Sequence, residues 1–398
     1  MKNNKLLLIL FTTLIGFGSY AQQSLFGGQQ IVSPEILPDN SVTFRFMAPN
    51  ADTVKVTGDF LPTVKIKTER GEFDAPGSAL LTKDENGVWS YKTGPLSSEL
   101  YNYSFIVDGL RTIDPSNPFI IRDVASLTNL FIIGGGQADL YKVMDIPHGT
   151  VTRRWYDSPG LKMDRRLTIY TPPGYEKSTE KYPVLYLLHG AGGDEEAWLA
   201  LGRTAQIMDN MIAQDKVKPM IVVMPNGNVI QDAAPGEGSE GFYKPQFMVA
   251  KTMDGTYEAN FMDIVKFTEA NYRVKADKAN RAIAGLSMGG FHSLHISRYY
   301  PNTFDYVGLF SAAIMSRDDA TGKVYSDFDG TLKKQMDNGY KLYWVAIGKT
   351  DFLYKANEEY RAKLDSMGMK YEYVESEGGH IWRNWRVYLS QFAPMLFR

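Results

Sequence analysis

Between residues 40 and 110 apolar side chains fall on alternate positions. Val42, Phe44 and Phe46 alternate in SVTFRFMAP, Val54 and Val56 in DTVKVTGDF, and Tyr101, Tyr103, Phe105 and Val107 in LYNYSFIVDG. Successive side chains of a strand point to opposite faces, so a period of two predicts strands with one buried face. Asn86-Gly87 and Asp108-Gly109 supply the tight turns between them. Short strands at this spacing predict an all-β, immunoglobulin-like sandwich over residues 30–135. Within it, 61–79 is a long polar excursion. Long loops are often functional, and the expectation is that this one reaches the mouth of the C-terminal part and helps complete a site there.

Gly134-Gly135-Gly136 marks a boundary, and 136–150 is expected to be a linker. From 151 to 398 the pattern changes. YPVLYLL, PMIVVMP, NRAIAGL, FDYVGLF and KLYWVAIG are nearly continuous apolar runs, with RRLTIYTPPGY before them and MKYEYVES after. Strands buried on both faces of a parallel sheet read this way. Amphipathic stretches separate them, from Thr204 to Ala213, Met262 to Asn271, Gly289 to Tyr300 and Asn357 to Met367. Strand and helix in alternation predict an α/β fold with a mainly parallel sheet, a three-layer sandwich.

The amino terminus carries Lys2 and Lys5, an apolar stretch from Leu6 to Phe17, and Ser19-Tyr20-Ala21. This is the pattern of a signal peptide over 1–21, cleaved near Ala21, and it predicts a periplasmic or secreted protein with no stable membrane span. The formal net charge is -2, so there is no basic excess to engage nucleic acid. With no cysteine, disulfides, thiolate metal sites and a cysteine nucleophile are excluded. No metal-ligand spacing appears, and no metal or cofactor is expected.

Ligands of such sheets bind at the carboxyl ends of the strands, so the polar residues just after each apolar run are the candidates. Ser287 follows RAIAGL, Asp351 follows LYWVAIG, His380 follows YEYV and a Gly-Gly turn, and His189-Gly190-Ala191-Gly192-Gly193 follows PVLYLL. Ser, Asp, His is the chain order of an α/β-hydrolase triad. Gly285 and Gly289 permit the tight strand-to-helix turn that would lift Ser287 above the sheet. A serine hydroxyl needs a base, here His380, and Asp351 would hold its tautomer. His148 lies in the linker, His189 in the loop of the oxyanion donor, and His292 and His295 on the helix after Ser287, which leaves His380. Asp318, Asp319 and Glu377 compete with Asp351, but Asp351 alone directly follows a central strand. The amides of Met288 and Ala191, with Gly190 the next candidate, are the expected oxyanion donors. Trp198, Trp382, and Tyr243 and Phe247 of the long 229–256 segment are candidate substrate contacts.

LYLLHGAGGDEEAW, KPMIVVMPNG, RAIAGLSMGG, FDYVGLFSAA and GGHIWRNWR together resemble carbohydrate esterase family 1, over about residues 142–398. VTFRFMAPNADTVKVTGDF, YNYSFIVDG and IDPSNPF resemble carbohydrate-binding module family 48. The resemblance implies a secreted serine esterase acting on feruloylated or acetylated xylan and its oligosaccharides, with Ser287, Asp351 and His380 as its triad. Feruloyl release is the expected activity and acetylxylan esterase the alternative. A carbohydrate-binding protein with a subsidiary or inactive hydrolase part is the reading from another class.

Overall fold

The computed structural model describes residues 31–68, 71–314 and 322–398. The expected signal peptide, Asp318 and Asp319 lie outside the described residues. Among the described residues no helix is long and apolar enough to cross a membrane.

The N-terminal part is all β. One sheet runs in the order Glu35–Ile36, Val42–Met47, Val88–Lys92, Thr82–Lys83. The other runs Ile120–Asp123, Ser126–Ile133, Glu99–Val107, Val54–Gly58, Ser78–Leu80, with Leu110–Thr112 paired beside Glu99–Val107. The alternating residues of the sequence meet between them: Val42, Phe44, Val54, Val56, Tyr101, Tyr103 and Phe105 are buried in one cluster with Phe131. Removing these apolar faces from water is the main drive for closing the sandwich.

Two expectations change here. The 61–79 segment is not a loop: Thr63–Thr68 pairs with Gly71–Pro76 as a separate two-stranded hairpin that joins neither sheet. Val64 and Ile66 alternate with polar residues in TVKIKT, a short strand signal inside a polar stretch. A second hairpin, Ile120–Asp123 with Ser126–Ile133, carries Arg122, which pairs with Asp194 in the loop after Val184–Leu188. The expected linker, in turn, is docked rather than free. Ala138 and Tyr141 are buried in the C-terminal core. Asn210 Nδ2 donates to the carbonyls of Asp139, Leu140 and Lys142. Arg386, buried on the last helix, joins the two parts by pairing with Glu99 Oε1 at 3.0 Å.

The C-terminal sheet has eight strands in the order Thr150–Ser158, Met163–Thr171, Ile221–Pro225, Val184–Leu188, Arg281–Leu286, Tyr306–Phe310, Leu342–Gly348, Glu372–Ser376. The first two are antiparallel to their neighbours, and the remaining six run parallel. Leu185, Leu187, Ala282, Ala284 and Trp344 pack on one face with Thr204–Ala213 and Trp382–Phe392. Tyr186, Leu188, Ile283, Val307 and Val345 pack on the other with Met262–Asn271, Met288–Tyr299, Phe328–Asp337 and Tyr354–Ser366. Every central-strand residue therefore meets a helix layer, which explains the uninterrupted apolar runs. Register pairs such as Leu286 with Phe310 and Gly348 with Ser376 align the carboxyl ends along one edge.

Candidate active site

Ser287 sits between Arg281–Leu286 and Met288–Tyr299 with φ 51° and ψ −114°. A non-glycine residue there is strained by roughly 1–3 kcal/mol and persists only when its surroundings hold it. They do: its N–H donates to Phe310 O at 2.9 Å, and its carbonyl accepts from Ala313 N at 2.9 Å and Phe291 N at 3.0 Å. The turn also needs a glycine at 289, where a Cβ would stand 2.3 Å from Leu188 O. Met288 opens the helix, so its amide has no intrahelical acceptor.

Asp351 is buried three residues beyond Leu342–Gly348. His380 Nδ1 lies 2.9 Å from its Oδ2 and 3.1 Å from its Oδ1. Leu353 N also donates to Oδ1, which fixes the carboxylate in place. With Nδ1 engaged, Nε2 is the ring nitrogen left for proton transfer. The imidazole is held between Phe352, with ring centroids 4.6 Å apart, and Trp385, at 4.9 Å. The rival Glu377 is 84% exposed and paired with Lys349.

The loop after Val184–Leu188 lies against Ser287: a Cβ on Gly190 would be 3.3 Å from Ser287 Cβ. His189 braces this loop. Its Nδ1–H donates to Gly190 O at 2.8 Å, and its Nε2 accepts from Gly227 N at 2.8 Å. Burial pushes its pKa down to about 4, so it is neutral when it does this. The unfolded chain takes up a proton near pH 6.5 and the folded chain does not. Stability from His189 is therefore complete above pH 6.5 and is lost as pH falls from there towards 4. Unfolding free energies from urea titrations across that window should fall by up to about 1.4 kcal/mol per pH unit from this group, and less steeply in His189→Gln.

A buried charge network extends the loop. Arg166 pairs with Glu195 at 2.7 Å, Glu196 at 2.9 Å and Glu237 at 2.6 Å. Glu195 also accepts from Asn226 Nδ2 and Ala234 N, so it ties the loop after Val184–Leu188 to the 229–256 segment. That segment is ordered further by Asp232, which accepts from Ser239, and by Tyr243, whose hydroxyl donates to Ala233 O.

The four candidate substrate contacts fare differently. Trp198 is 1% exposed and donates from Nε1 to Leu188 O, so it is part of the core and does not line the site. Its indole packs edge-on to Trp382 at 5.4 Å, within the core. Trp382 itself is half-buried, between Trp198 and Trp385. Tyr243 lines a small cleft with Gly192, Gly193 and Asp194. Phe247 is largely exposed on its loop. Three residues here were not singled out from the sequence. Phe352 is 69% exposed beside the base, and its position directly after Asp351 was a usable signal. Arg122, paired with Asp194, and Val124, packed on Gly192, come from the N-terminal part, and no local pattern marks them.

The Esterase family model matches residues 158–396. An endo-1,4-beta-xylanase/feruloyl esterase of Xylanibacter ruminicola is 31% identical over 377 residues, covering 92% of this chain. The chain spans 46% of that relative's length. A CE1 ferulic acid esterase from the anaerobic fungus Anaeromyces mucronatus superposes with a TM-score of 0.54 at 21% identity, over 66% of this chain and 96% of that one. The enterobactin esterase of Shigella flexneri gives a TM-score of 0.59 at 15% identity, over 89% of this chain and 92% of that one. These two structural likenesses speak to the fold alone. The second extends through the N-terminal β region as well as the sheet.

Proposed function

The chain belongs to the Esterase family, and we propose that it is a carboxylic-ester hydrolase that releases feruloyl groups from xylan side chains through an acyl-enzyme on Ser287. The observation that carries the mechanism is the His380–Asp351 hydrogen bond at 2.9 Å, at the same sheet edge as the strained turn of Ser287. His380 Nε2 takes the serine proton as Oγ attacks the ester carbonyl. The amides of Met288 and Ala191 stabilise the negative charge that develops on the carbonyl oxygen. His380 then protonates the departing sugar oxygen, and a water activated by the same nitrogen frees the acid. The relative that joins a xylanase to a feruloyl esterase supports this substrate class. The resemblance of the N-terminal sandwich to a carbohydrate-binding module supports a polymeric one. The signal-like pattern over 1–21 supports action outside the cytoplasm.

The decisive experiment is product analysis on feruloylated and acetylated xylan side by side, with Ser287→Ala as control. Ferulate as the dominant product supports this reading. Acetate alone makes the protein an acetylxylan esterase, and loss of neither group overturns both.

Phe352 adds a finer prediction. The leaving sugar must lie beside Nε2 of His380, and the exposed Phe352 ring flanks that imidazole. An aromatic face offers apolar area to the C–H face of a sugar. Phe352→Ala should therefore lower kcat/KM on a feruloylated oligosaccharide about tenfold, equal to about 1.4 kcal/mol. On methyl ferulate, whose leaving group is methanol, the change should stay within about threefold. Equal losses on both esters would move Phe352 out of the leaving-group site.

A further inference from the structure

We propose that Arg122 and Val124, at the tip of the N-terminal hairpin Ile120–Asp123 with Ser126–Ile133, are positioning residues for the oxyanion loop; the proposal rests on the esterase reading above. Three observations converge on the segment from Gly190 to Asp194.

The first is charge. Arg122 Nη2 donates to Asp194 Oδ2, and Asp194 is 4% exposed. The other carboxylate oxygen accepts from Glu196 N, so Asp194 closes the turn that ends the glycine loop. A carboxylate this buried needs a counter-charge. Without Arg122, its negative charge would stand three residues from Ala191, whose amide faces a developing oxyanion. Like charges in a site sheltered from water interact strongly.

The second is strain. Val124 holds φ 52°, a conformation rare for a β-branched residue. Arg122 Nη1 donates to its carbonyl at 2.9 Å and helps hold it there. The third is contact. Gly192 has φ 77°, and a Cβ placed on it would stand 2.6 Å from Val124 Cγ2. The valine methyls are therefore seated directly on the loop's backbone.

Glycines at 190, 192 and 193 leave the loop little intrinsic order. From within, His189 and Asn228 hold it, the latter by donating to Gly193 O at 2.8 Å. From the N-terminal side, the hairpin tip closes it. Misplacing a donor by about 1 Å costs about a hundredfold in rate, so a residue that sets the loop acts on kcat without touching substrate.

The test uses the full chain with methyl ferulate, whose small leaving group needs no sugar subsite. Val124→Gly relaxes the backbone while removing the contact. It should lower kcat about tenfold, with KM within about twofold and the thermal midpoint unchanged or raised. Arg122→Met should lower kcat more, about thirtyfold, and weaken an aryl boronic acid, a mimic of the tetrahedral intermediate, in proportion. Affinity for ferulate itself should hold, and Arg122→Lys should recover most of the loss. The proposal is overturned if Val124→Gly keeps kcat within twofold of wild type. It is also overturned if kcat and thermal midpoint fall together in both variants, or if boronate affinity is unmoved. A wild-type protein with no Ser287-dependent turnover would instead sink the esterase reading, and this proposal with it.

Discussion

Ser287→Ala is expected to lower kcat on methyl ferulate by about a millionfold, with substrate affinity little changed. The size follows from the roles. Without Oγ there is no acyl-enzyme, and His380 has nothing to activate but water. What persists is binding and the oxyanion donors, which leave about a thousandfold over the uncatalysed reaction. The fold should survive, because the bonds that hold residue 287 in its strained turn are made by its backbone N–H and carbonyl. Thermal melting would show an intact protein, and intact-mass measurement would show no acyl adduct. Adding His380→Ala to Ser287→Ala should cost little more, since residues acting as one unit are not additive. Residual activity above about one per cent of wild type would remove Ser287 from the nucleophile's role.

The largest expected effect on stability lies at Arg166. Its guanidinium is almost fully buried and pairs with Glu195, Glu196 and Glu237. Glu195 is itself fully buried; burial pushes its carboxyl pKa up, the neighbouring Asp194 adds to this, and the bonds from Ala234 N and Arg166 oppose it. Arg166→Met would strand that carboxylate, and breaking a buried pair by removing one partner costs about 3–5 kcal/mol. The urea midpoint should fall accordingly, and activity should fall with it. Glu195 links the oxyanion loop to Asn226 and Ala234, so its release loosens both walls at once. Arg166→Met combined with Glu195→Gln should regain part of the loss, because the double variant no longer buries an unpaired charge. An additive double variant would mean that the pair contributes only packing.

The candidate residues that could be read from the sequence share a property: local patterns report them. Leu185 to Leu188 alternate between two helix layers, so the run had to be apolar throughout. Ser287, Asp351 and His380 each follow their own parallel strand, and parallel strands in register bring their carboxyl ends to one edge. Reading what comes after each apolar run was therefore enough to collect them as candidates. Trp198 shows where that logic stops. It lies six residues past Gly192, close to the site along the chain, yet its indole turns inward to Leu188 O. Side-chain direction in an irregular segment is set by the space left in the core, and no period encodes that space.

From the sequence alone came the two-part architecture, the strand order along the chain, and the candidate nucleophile, acid and base. Tertiary structure alone decided that the hairpin tip at 122–124 meets the loop after Val184–Leu188. Within 61–79, Thr63–Thr68 pairs with Gly71–Pro76, and the tip at 122–124 presses on Gly192 and Asp194. Arg122 and Asp194 are 72 residues apart and belong to different sheets' surroundings. Their meeting depends on how two twisted, independently patterned layers dock. Hydrophobic periodicity says only that each layer has a buried face, not which edge of one lies against which loop of the other.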